Sequence, residues 1–175
     1  MTNKTTKAIF LDRDGTIIWD KNYLASTNDI EYYPDTLSAL KLMIQKGYKL
    51  YIITNQSGVG RGYFSLDTVH EIHRAIDLDL LSHGLPVFSG WGICPHAPDQ
   101  NCDCRKPAPK LILDFMQKDK IEARGSWMVG DKVIDAECGL KAAIQGALVR
   151  ETSLSQNKDY PFFKTLLEFA QSLPE

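Results

Sequence analysis

Short apolar runs alternate with amphipathic segments along most of this chain. The runs are nearly continuous in apolar residues, which is typical of strands that are buried on both faces. They predict strands at residues 8–11, 49–54, 90–94, 126–129 and 146–149. The segments with apolar residues at helical spacing predict helices at residues 34–46, 66–83, 110–117, 133–143 and 160–173. This alternation predicts an α/β fold, a Rossmann-like open parallel sheet with helices on both faces.

Residues capable of chemistry lie at the carboxyl ends of the first, second and fourth predicted strands and in the loop after the third. In chain order they are Asp12, Asp14, Thr54, Asn55, Arg105, Lys106 and Asp131. Open parallel sheets bind ligands at the carboxyl ends of their strands, near the point where the strand order reverses. The pattern therefore predicts one site that all these residues share.

Asp12 and Asp14 are the most informative pair in this set. Two carboxylates spaced i, i+2 on an extended segment point to the same side and repel each other. A divalent cation relieves that repulsion, and Gly15 lets the backbone turn just beyond the pair. A D-x-D pair alone is equally typical of an acidic turn, so the prediction of Mg²⁺ bound by Asp12, Asp14 and Asp131 depends on their joint occurrence. Such a cluster suits phosphoryl transfer, in which a carboxylate can be the nucleophile.

Composition sets limits on the partners. The 175 residues suit one domain, residues 1–175, and the net charge of -2 exerts no general attraction on nucleic acid or an anionic membrane. No apolar run approaches the roughly 20 residues that span a bilayer. Met1–Lys7 is polar and lacks the apolar core of a signal peptide. We therefore expect a cytoplasmic monomer that acts on a small phosphorylated molecule.

A cysteine-rich loop interrupts the second half of the chain. Cys94, His96, Cys102 and Cys104 lie within residues 94–104 and offer three thiolates and one imidazole. Four such ligands complete a tetrahedral zinc shell, which predicts a structural Zn²⁺ site rather than a catalytic one. A loop of free thiols is the alternative. Because the loop leads directly into Arg105, the metal would also position the residues that follow.

Two histidines on the second predicted helix, His70 and His73, are spaced i, i+3. That spacing can bind a metal ion, but the sequence offers no cysteine or carboxylate partner beside them. A solvated helix face is the simpler interpretation.

The motifs together resemble those of the haloacid dehalogenase superfamily of phosphatases, over roughly residues 8–150. The matching residues are Asp12-Arg13-Asp14-Gly15-Thr16, Thr54, Lys106, Gly130-Asp131 and Asp135. The resemblance implies the fold of that superfamily, and it implies that Asp135 supports the metal site. The motifs lie too close together for a large cap domain, which predicts an open site.

The same resemblance implies roles for individual residues. Asp12 would be the nucleophile and Asp14 the general acid and base. Mg²⁺ would be held by Asp12, the backbone carbonyl of Asp14, and Asp131. Thr54 and Lys106 would stabilise the transferring phosphoryl group.

The zinc loop narrows the resemblance to the heptose bisphosphate phosphatases and the histidinol-phosphate phosphatases. Residues 54–58 with Arg61-Gly62 and Phe64 resemble the heptose group, whereas the five-residue gap between His96 and Cys102 resembles the histidinol-phosphate group. The heptose group implies substrate contacts at Asp20, Lys21, Asn22, Tyr23, Asn55, Gln56, Ser57, Arg61, Arg105 and Lys132.

The expected activity is thus removal of the 7-phosphate of a heptose 1,7-bisphosphate, in the synthesis of nucleotide-activated heptose for surface polysaccharide. Histidinol-phosphate hydrolysis is the alternative within the enzymes. A non-catalytic, zinc-stabilised ligand-binding module is the alternative from another class, and the complete set of acidic and basic site residues speaks against it.

Overall fold

A six-stranded, wholly parallel sheet forms the centre of the computed structural model, which describes residues 6–150 and 159–174. The strands are β1 (Ala8–Leu11), β2 (Lys49–Asn55), β3 (Gly90–Cys94), β4 (Trp127–Gly130), β5 (Gln145–Val149) and β6 (Phe162–Phe163). Their order across the sheet is β3-β2-β1-β4-β5-β6. The chain therefore builds outward from β1 in one direction, then crosses over and builds outward in the other.

In the described part of the chain, six helices connect and cover these strands, and a 3-10 turn lies at Thr27–Asp29. They are α1 (Thr36–Gln45), α2 (Ser57–Gly60), α3 (Leu66–Ser82), α4 (Lys110–Asp119), α5 (Val133–Lys141) and α6 (Leu166–Ser172). The five predicted strands and the first four predicted helices are confirmed to within two residues at their ends. The short elements α2 and β6 were not predicted.

The predicted helix at residues 160–173 is wrong in its first part. Phe162–Phe163 instead extend the sheet beside Leu148 and Val149. The helix begins only after Thr165, whose hydroxyl accepts a hydrogen bond from the backbone N–H of Glu168 at 3.0 Å. This N-terminal cap fixes the helix start, a local signal that the apolar spacing alone does not carry.

The sheet buries both of its faces, as the continuous apolar runs predicted. On β1, Ile9 and Leu11 pack into the layer that contains α1, α3 and α6. Ala8 and Phe10 point to the opposite layer, which contains α4 and α5. Successive side chains of a strand alternate between faces, so a strand covered on both sides must be apolar at every position. The predicted Rossmann-like fold with helices on both faces is confirmed.

His73 contradicts the prediction of a solvated helix face, whereas His70 is exposed as expected. The His73 side chain is 3% exposed, and its ring stacks on Trp91 with centroids 3.8 Å apart. Trp91 lies in the edge strand β3 and is hydrogen-bonded to Asp77 of α3. The burial of His73 therefore arises from a neighbour in another element, which helical spacing does not reveal.

The strand order reverses between β1 and β4 at the centre of the sheet. Residues 12–35 and 56–65 form the connections around this edge, and within residues 6–150 they contain no separate cap domain. No helix in the described ranges has the length and apolar character needed to cross a bilayer. The expectation for Met1–Lys7 falls largely on residues 1–5, which lie outside the described residues.

Candidate active site

A pocket of about 210 Å³ opens at the carboxyl ends of β1, β2 and β4, where the strand order reverses. The predicted site residues that line it are Asp12, Asp14, Asp20, Asn22, Tyr23, Thr54, Asn55, Gln56, Ser57, Arg105, Lys106 and Lys132. The tertiary structure therefore brings together residues from five separate parts of the chain. The pocket lies at the predicted edge of the sheet, and the functional roles of its residues stay predictions.

Lys106 lies at the base of this pocket and is buried. Its Nζ is 2.8 Å from Asp12 Oδ1 and 2.7 Å from Asp135 Oδ1, and it donates a hydrogen bond to the carbonyl of Ile53 at 2.7 Å. Burial by itself disfavours the ammonium, but the charges of Asp12 and Asp135 outweigh it and raise the pKa of Lys106 above its ordinary value. The lysine is therefore a fixed positive charge beside the Asp12 carboxylate.

Asn55 holds the backbone of Lys106 in place. Its Oδ1 accepts a hydrogen bond from the Lys106 N–H at 3.0 Å, and its Nδ2 donates to the Lys106 carbonyl at 3.3 Å. The end of β2 is thereby joined to the end of the cysteine-rich loop. The sequence predicted a substrate contact for Asn55, and that role stays a prediction, although both ends of the amide already have partners.

Asp14 occupies a different environment from Asp12, although both follow β1. Arg13 Nε and Nη2 donate to its two carboxylate oxygens at 3.0 and 3.1 Å. Gln56 Nε2 donates to Asp14 Oδ2 at 2.9 Å and to the hydroxyl of Thr54 at 2.7 Å. Burial raises the pKa of Asp14 despite the neighbouring guanidinium. Two carboxyl groups in unlike surroundings are the usual arrangement for a nucleophile and an acid.

Three carboxylates form a candidate metal centre. One oxygen each from Asp12, Asp131 and Asp135 lies within 4.8 Å of the others, and Asp131 Oδ1 is buried without a hydrogen-bond partner among the described residues. Burial and the charge of Asp12 raise the pKa of Asp131 to about 7. Gly15 permits this closeness, because a Cβ there would lie 2.4 Å from Asp131 Oδ2. A hard divalent cation fits such a set of oxygen atoms.

Asp135, for which the resemblance implies a supporting role, contributes one of the three oxygens of this centre. Its Oδ2 accepts a hydrogen bond from the Lys132 N–H at 3.0 Å, which caps the start of α5. Its Oδ1 faces Lys106 at 2.7 Å. Gly130 leaves room for this carboxylate, because a Cβ there would lie 2.1 Å from Asp135 Oδ2.

The rim of the pocket includes some of the predicted substrate contacts and excludes others. Lys132 Nζ lies 3.3 Å from Asp20 Oδ2 across the opening. Lys21 instead pairs with Glu31 at 2.5 Å and does not line the pocket. Arg61 lines a neighbouring polar cleft beside the cysteine-rich loop. Lys21 and Arg61 therefore lack the direct placement that the sequence suggested.

The cysteine-rich loop has the geometry of a closed metal site. Cys94 Sγ lies 3.8 Å from Cys102 Sγ and 3.6 Å from His96 Nδ1, which in turn lies 3.3 Å from Cys104 Sγ. A zinc tetrahedron with ordinary bond lengths has sulfur–sulfur edges of roughly 3.8 Å and sulfur–nitrogen edges of roughly 3.5 Å. Arg105 Nη1 also donates to the carbonyl of His96 at 3.2 Å. The loop therefore fits a zinc ion and braces the arginine at the pocket.

Arg13 is the site residue that sequence reasoning left without a role. Its side chain is 1% exposed, and it reaches from Asp14 to His73 on α3. The available signal was a charged residue between two acids at the end of a buried strand. Such a residue must itself find a buried partner.

The chain is similar in sequence to known phosphatases. A family model described as polynucleotide kinase 3 phosphatase matches residues 7–172. The D-glycero-beta-D-manno-heptose-1,7-bisphosphate 7-phosphatase of Helicobacter pylori is 40% identical over 145 residues, which cover 83% of this chain and 84% of that protein. The Pasteurella multocida protein of the same name is 36% identical over 159 residues, covering 87% and 86%.

The chain is also similar in fold to a solved phosphatase structure. The D,D-heptose 1,7-bisphosphate phosphatase from B. bronchiseptica, complexed with magnesium and phosphate, superposes with a TM-score of 0.87 at 30% identity. The match covers 96% of this chain and 98% of that one. The chain therefore belongs to the family described by the polynucleotide kinase 3 phosphatase model, and with its heptose bisphosphate phosphatase relatives it is a phosphatase of the haloacid dehalogenase superfamily.

Proposed function

We propose that this chain hydrolyses the 7-phosphate of D-glycero-D-manno-heptose 1,7-bisphosphate and leaves heptose 1-phosphate. The names of the relatives from Helicobacter pylori and Pasteurella multocida support this substrate. The product would feed the synthesis of a nucleotide-activated heptose for surface polysaccharide.

The unlike surroundings of Asp12 and Asp14 carry the mechanistic part of the proposal. Asp12 pairs with the buried ammonium of Lys106 at 2.8 Å and faces the pocket, so it is the nucleophile. Burial raises the pKa of Asp14, which favours the protonated carboxyl group that a general acid requires. If the two carboxyl groups had the same surroundings, nothing would separate the nucleophile from the general acid.

The reaction follows in two steps. Asp12 attacks the phosphorus atom, the bond from phosphorus to the sugar oxygen breaks, and Asp14 gives its proton to that oxygen. This leaves an aspartyl-phosphate on Asp12 and a carboxylate on Asp14. Asp14 then accepts a proton from a water molecule as the water attacks phosphorus, which releases phosphate and restores both aspartates.

Positive charge around the phosphoryl group comes from several sources. Asp12, Asp131 and the backbone carbonyl of Asp14 would hold Mg²⁺, which neutralises the charge on the phosphoryl oxygens when it is bound. Lys106 supplies a fixed ammonium, and the Thr54 hydroxyl faces the same pocket. These groups stabilise the charge that spreads over the phosphoryl oxygens during transfer.

The second phosphate of the substrate accounts for the cations at the rim. Arg105 and Lys132 both line the pocket, and Lys132 is paired there with the exposed carboxylate of Asp20. A bound phosphate would replace Asp20 as the partner of Lys132. Cys94, His96, Cys102 and Cys104 would hold the zinc ion, which would act on geometry by fixing the backbone from which Arg105 projects.

Steady-state kinetics with Mg²⁺ test this proposal. Heptose 1,7-bisphosphate, histidinol phosphate and a 3′-phosphorylated oligonucleotide are compared by kcat/KM for phosphate release. We expect the heptose to be preferred by at least about 100-fold, roughly 2.7 kcal/mol of differential transition-state binding. Preference for histidinol phosphate or for the oligonucleotide would reject the heptose assignment and keep the phosphatase chemistry.

The remaining expectations belong to the same proposal. We infer a cytoplasmic, monomeric protein with one domain over residues 1–175. The four cysteines form no disulfide with one another, and a reducing compartment keeps such side chains available to a metal. Analytical ultracentrifugation tests the monomer, and a dimer at micromolar concentration would contradict it.

A further inference from the structure

Arg13 makes its contacts on two sides of a buried site. On one side its Nε and Nη2 form a fork on the two oxygens of Asp14, at 3.0 and 3.1 Å. On the other side its Nη1 lies 3.1 Å from His73 Nε2. The guanidinium is planar and cannot rotate one nitrogen without moving the others. Its contact with His73 therefore sets the plane in which it meets Asp14.

His73 is placed to receive a hydrogen bond rather than to give one. A guanidinium has donors and no acceptor, so His73 Nε2 must be unprotonated and accept from Arg13 Nη1. Burial, with the positive charge of Arg13, lowers the pKa of His73 to about 2, in agreement with a neutral ring. The proton then belongs to Nδ1, which is buried without a partner among the described residues.

The histidine ring is itself held firmly. It stacks on Trp91 with centroids 3.8 Å apart and planes 16° from parallel. Trp91 Nε1 donates to Asp77 Oδ2 at 3.0 Å, which ties the indole back to α3. The orientation of His73 is thus determined by the packing of α3 on β3, away from the reacting atoms.

We propose that His73 and Arg13 are positioning residues that hold the Asp14 carboxyl group in the orientation needed to protonate the leaving group. This inference rests on the proposed role of Asp14 as general acid. Gln56 Nε2 reaches only Asp14 Oδ2, whereas the Arg13 fork reaches both oxygens of the carboxyl group. The two hydrogen bonds from Arg13 therefore set the orientation of the carboxyl plane, and the contact with His73 sets the orientation of the Arg13 guanidinium.

A simple core ion pair would use the same contacts but would not affect one chemical step selectively. The test therefore compares substrates that differ in their need for the proton. Phenyl phosphate releases a more basic oxygen than 4-nitrophenyl phosphate does, so its cleavage depends more on Asp14. The ratio kcat/KM covers all steps up to the phosphorylation of Asp12, and later steps do not mask the effect.

Two variants of His73 form a matched pair. His73→Phe keeps a flat ring against Trp91 but removes the acceptor for Arg13. His73→Gln places an amide oxygen near the position of Nε2 and restores an acceptor. Both substrates are assayed with both variants, with the wild type, and with Asp12→Asn as the inactive control.

We expect His73→Phe to lose about 10-fold in kcat/KM on phenyl phosphate and less than about 2-fold on 4-nitrophenyl phosphate, because part of the ~10²- to 10⁴-fold general-acid contribution is lost. His73→Gln should stay within about 2-fold of the wild type on both substrates, since an acceptor is restored. Equal losses on the two substrates, or a Gln variant as impaired as the Phe variant, would overturn the proposal. Failure of the wild type to cleave either ester would instead count against the proposed function.

NMR of the protein with ¹⁵N-labelled histidine tests the contact without any assay of activity. We expect the His73 ring to be neutral, with the proton on Nδ1 and an unprotonated Nε2. His73→Phe identifies the signal by its absence. A proton on Nε2 of His73 would exclude the hydrogen bond from Arg13 and overturn the proposal.

Discussion

The carboxylate centre and the cysteine-rich loop are two candidate metal sites built in opposite ways. The loop takes its four ligands from residues 94–104, and their spacing alone identifies them. The carboxylate centre takes Asp12 from the end of β1 and Asp131 and Asp135 from the end of β4 and the start of α5. One site is local, whereas the other exists only after the parallel sheet has formed.

The two sites also differ in how their charge is balanced. The four candidate ligands of the loop would satisfy a tetrahedral ion completely and would leave no position for a substrate. Asp12 and Asp135 share the buried Lys106 instead, and Asp131 keeps a buried oxygen without a hydrogen-bond partner among residues 6–150 and 159–174. A closed shell stabilises a loop, whereas an unsatisfied acidic cluster beside a pocket is suited to bind and transform a phosphorylated ligand.

Asp12→Asn should abolish the nucleophilic attack that we assign to the carboxylate centre. The amide is nearly the same shape but is a poor nucleophile, so we expect kcat to fall by at least about 10⁴-fold. The circular dichroism spectrum should be unchanged, because the β1 strand keeps its apolar contacts. Asp29→Asn, on an exposed turn, is the matched control. Substantial turnover by the Asp12 variant would remove the nucleophile assignment.

Lys106→Met should affect both activity and folding. The change leaves Asp12 and Asp135 without the cation that lies 2.8 and 2.7 Å from them. We expect kcat to fall by about 10²-fold and the free energy of unfolding to fall by about 3 kcal/mol, as when one member of a buried ion pair is removed. Urea denaturation of this variant is compared with Lys110→Met, which removes an exposed lysine. Equal stability of the two variants would show that Lys106 does not hold the carboxylates.

Removal of zinc should have the smallest effect on catalysis and the most local effect on structure. With Cys102→Ser or a chelator, we expect faster hydrogen exchange in residues 94–109 while the strands stay protected. The KM should rise by about 10-fold with little change in kcat, because Arg105 and not Asp12 loses its support. Cys138→Ala, outside the cluster, should keep the metal. Unchanged exchange in residues 94–109 would reject the structural role of zinc.

The general architecture and the central site could be predicted from the chain itself. The apolar runs predicted five parallel strands, and the polar residues predicted to share a site, with the exception of Asp131, line one pocket. Both results follow from local rules, since a run buried on two faces must be apolar and parallel strands share their carboxyl edge. The positions of individual side chains were harder to predict. Lys21, for example, pairs with Glu31 and does not line the pocket.

The sequence by itself determined where the strands lie, which acids follow β1, and which four residues can bind a metal in the loop, because each of these depends on neighbours within a few positions. The tertiary structure decided that Asn55 holds the Lys106 backbone and that Arg13 meets His73. Those contacts join residues about 50 or more positions apart, and their geometry depends on how α3 and the cysteine-rich loop pack on the sheet. Periodicity acts over one element, whereas the orientation of a buried polar side chain is set by whichever partner the packing places beside it.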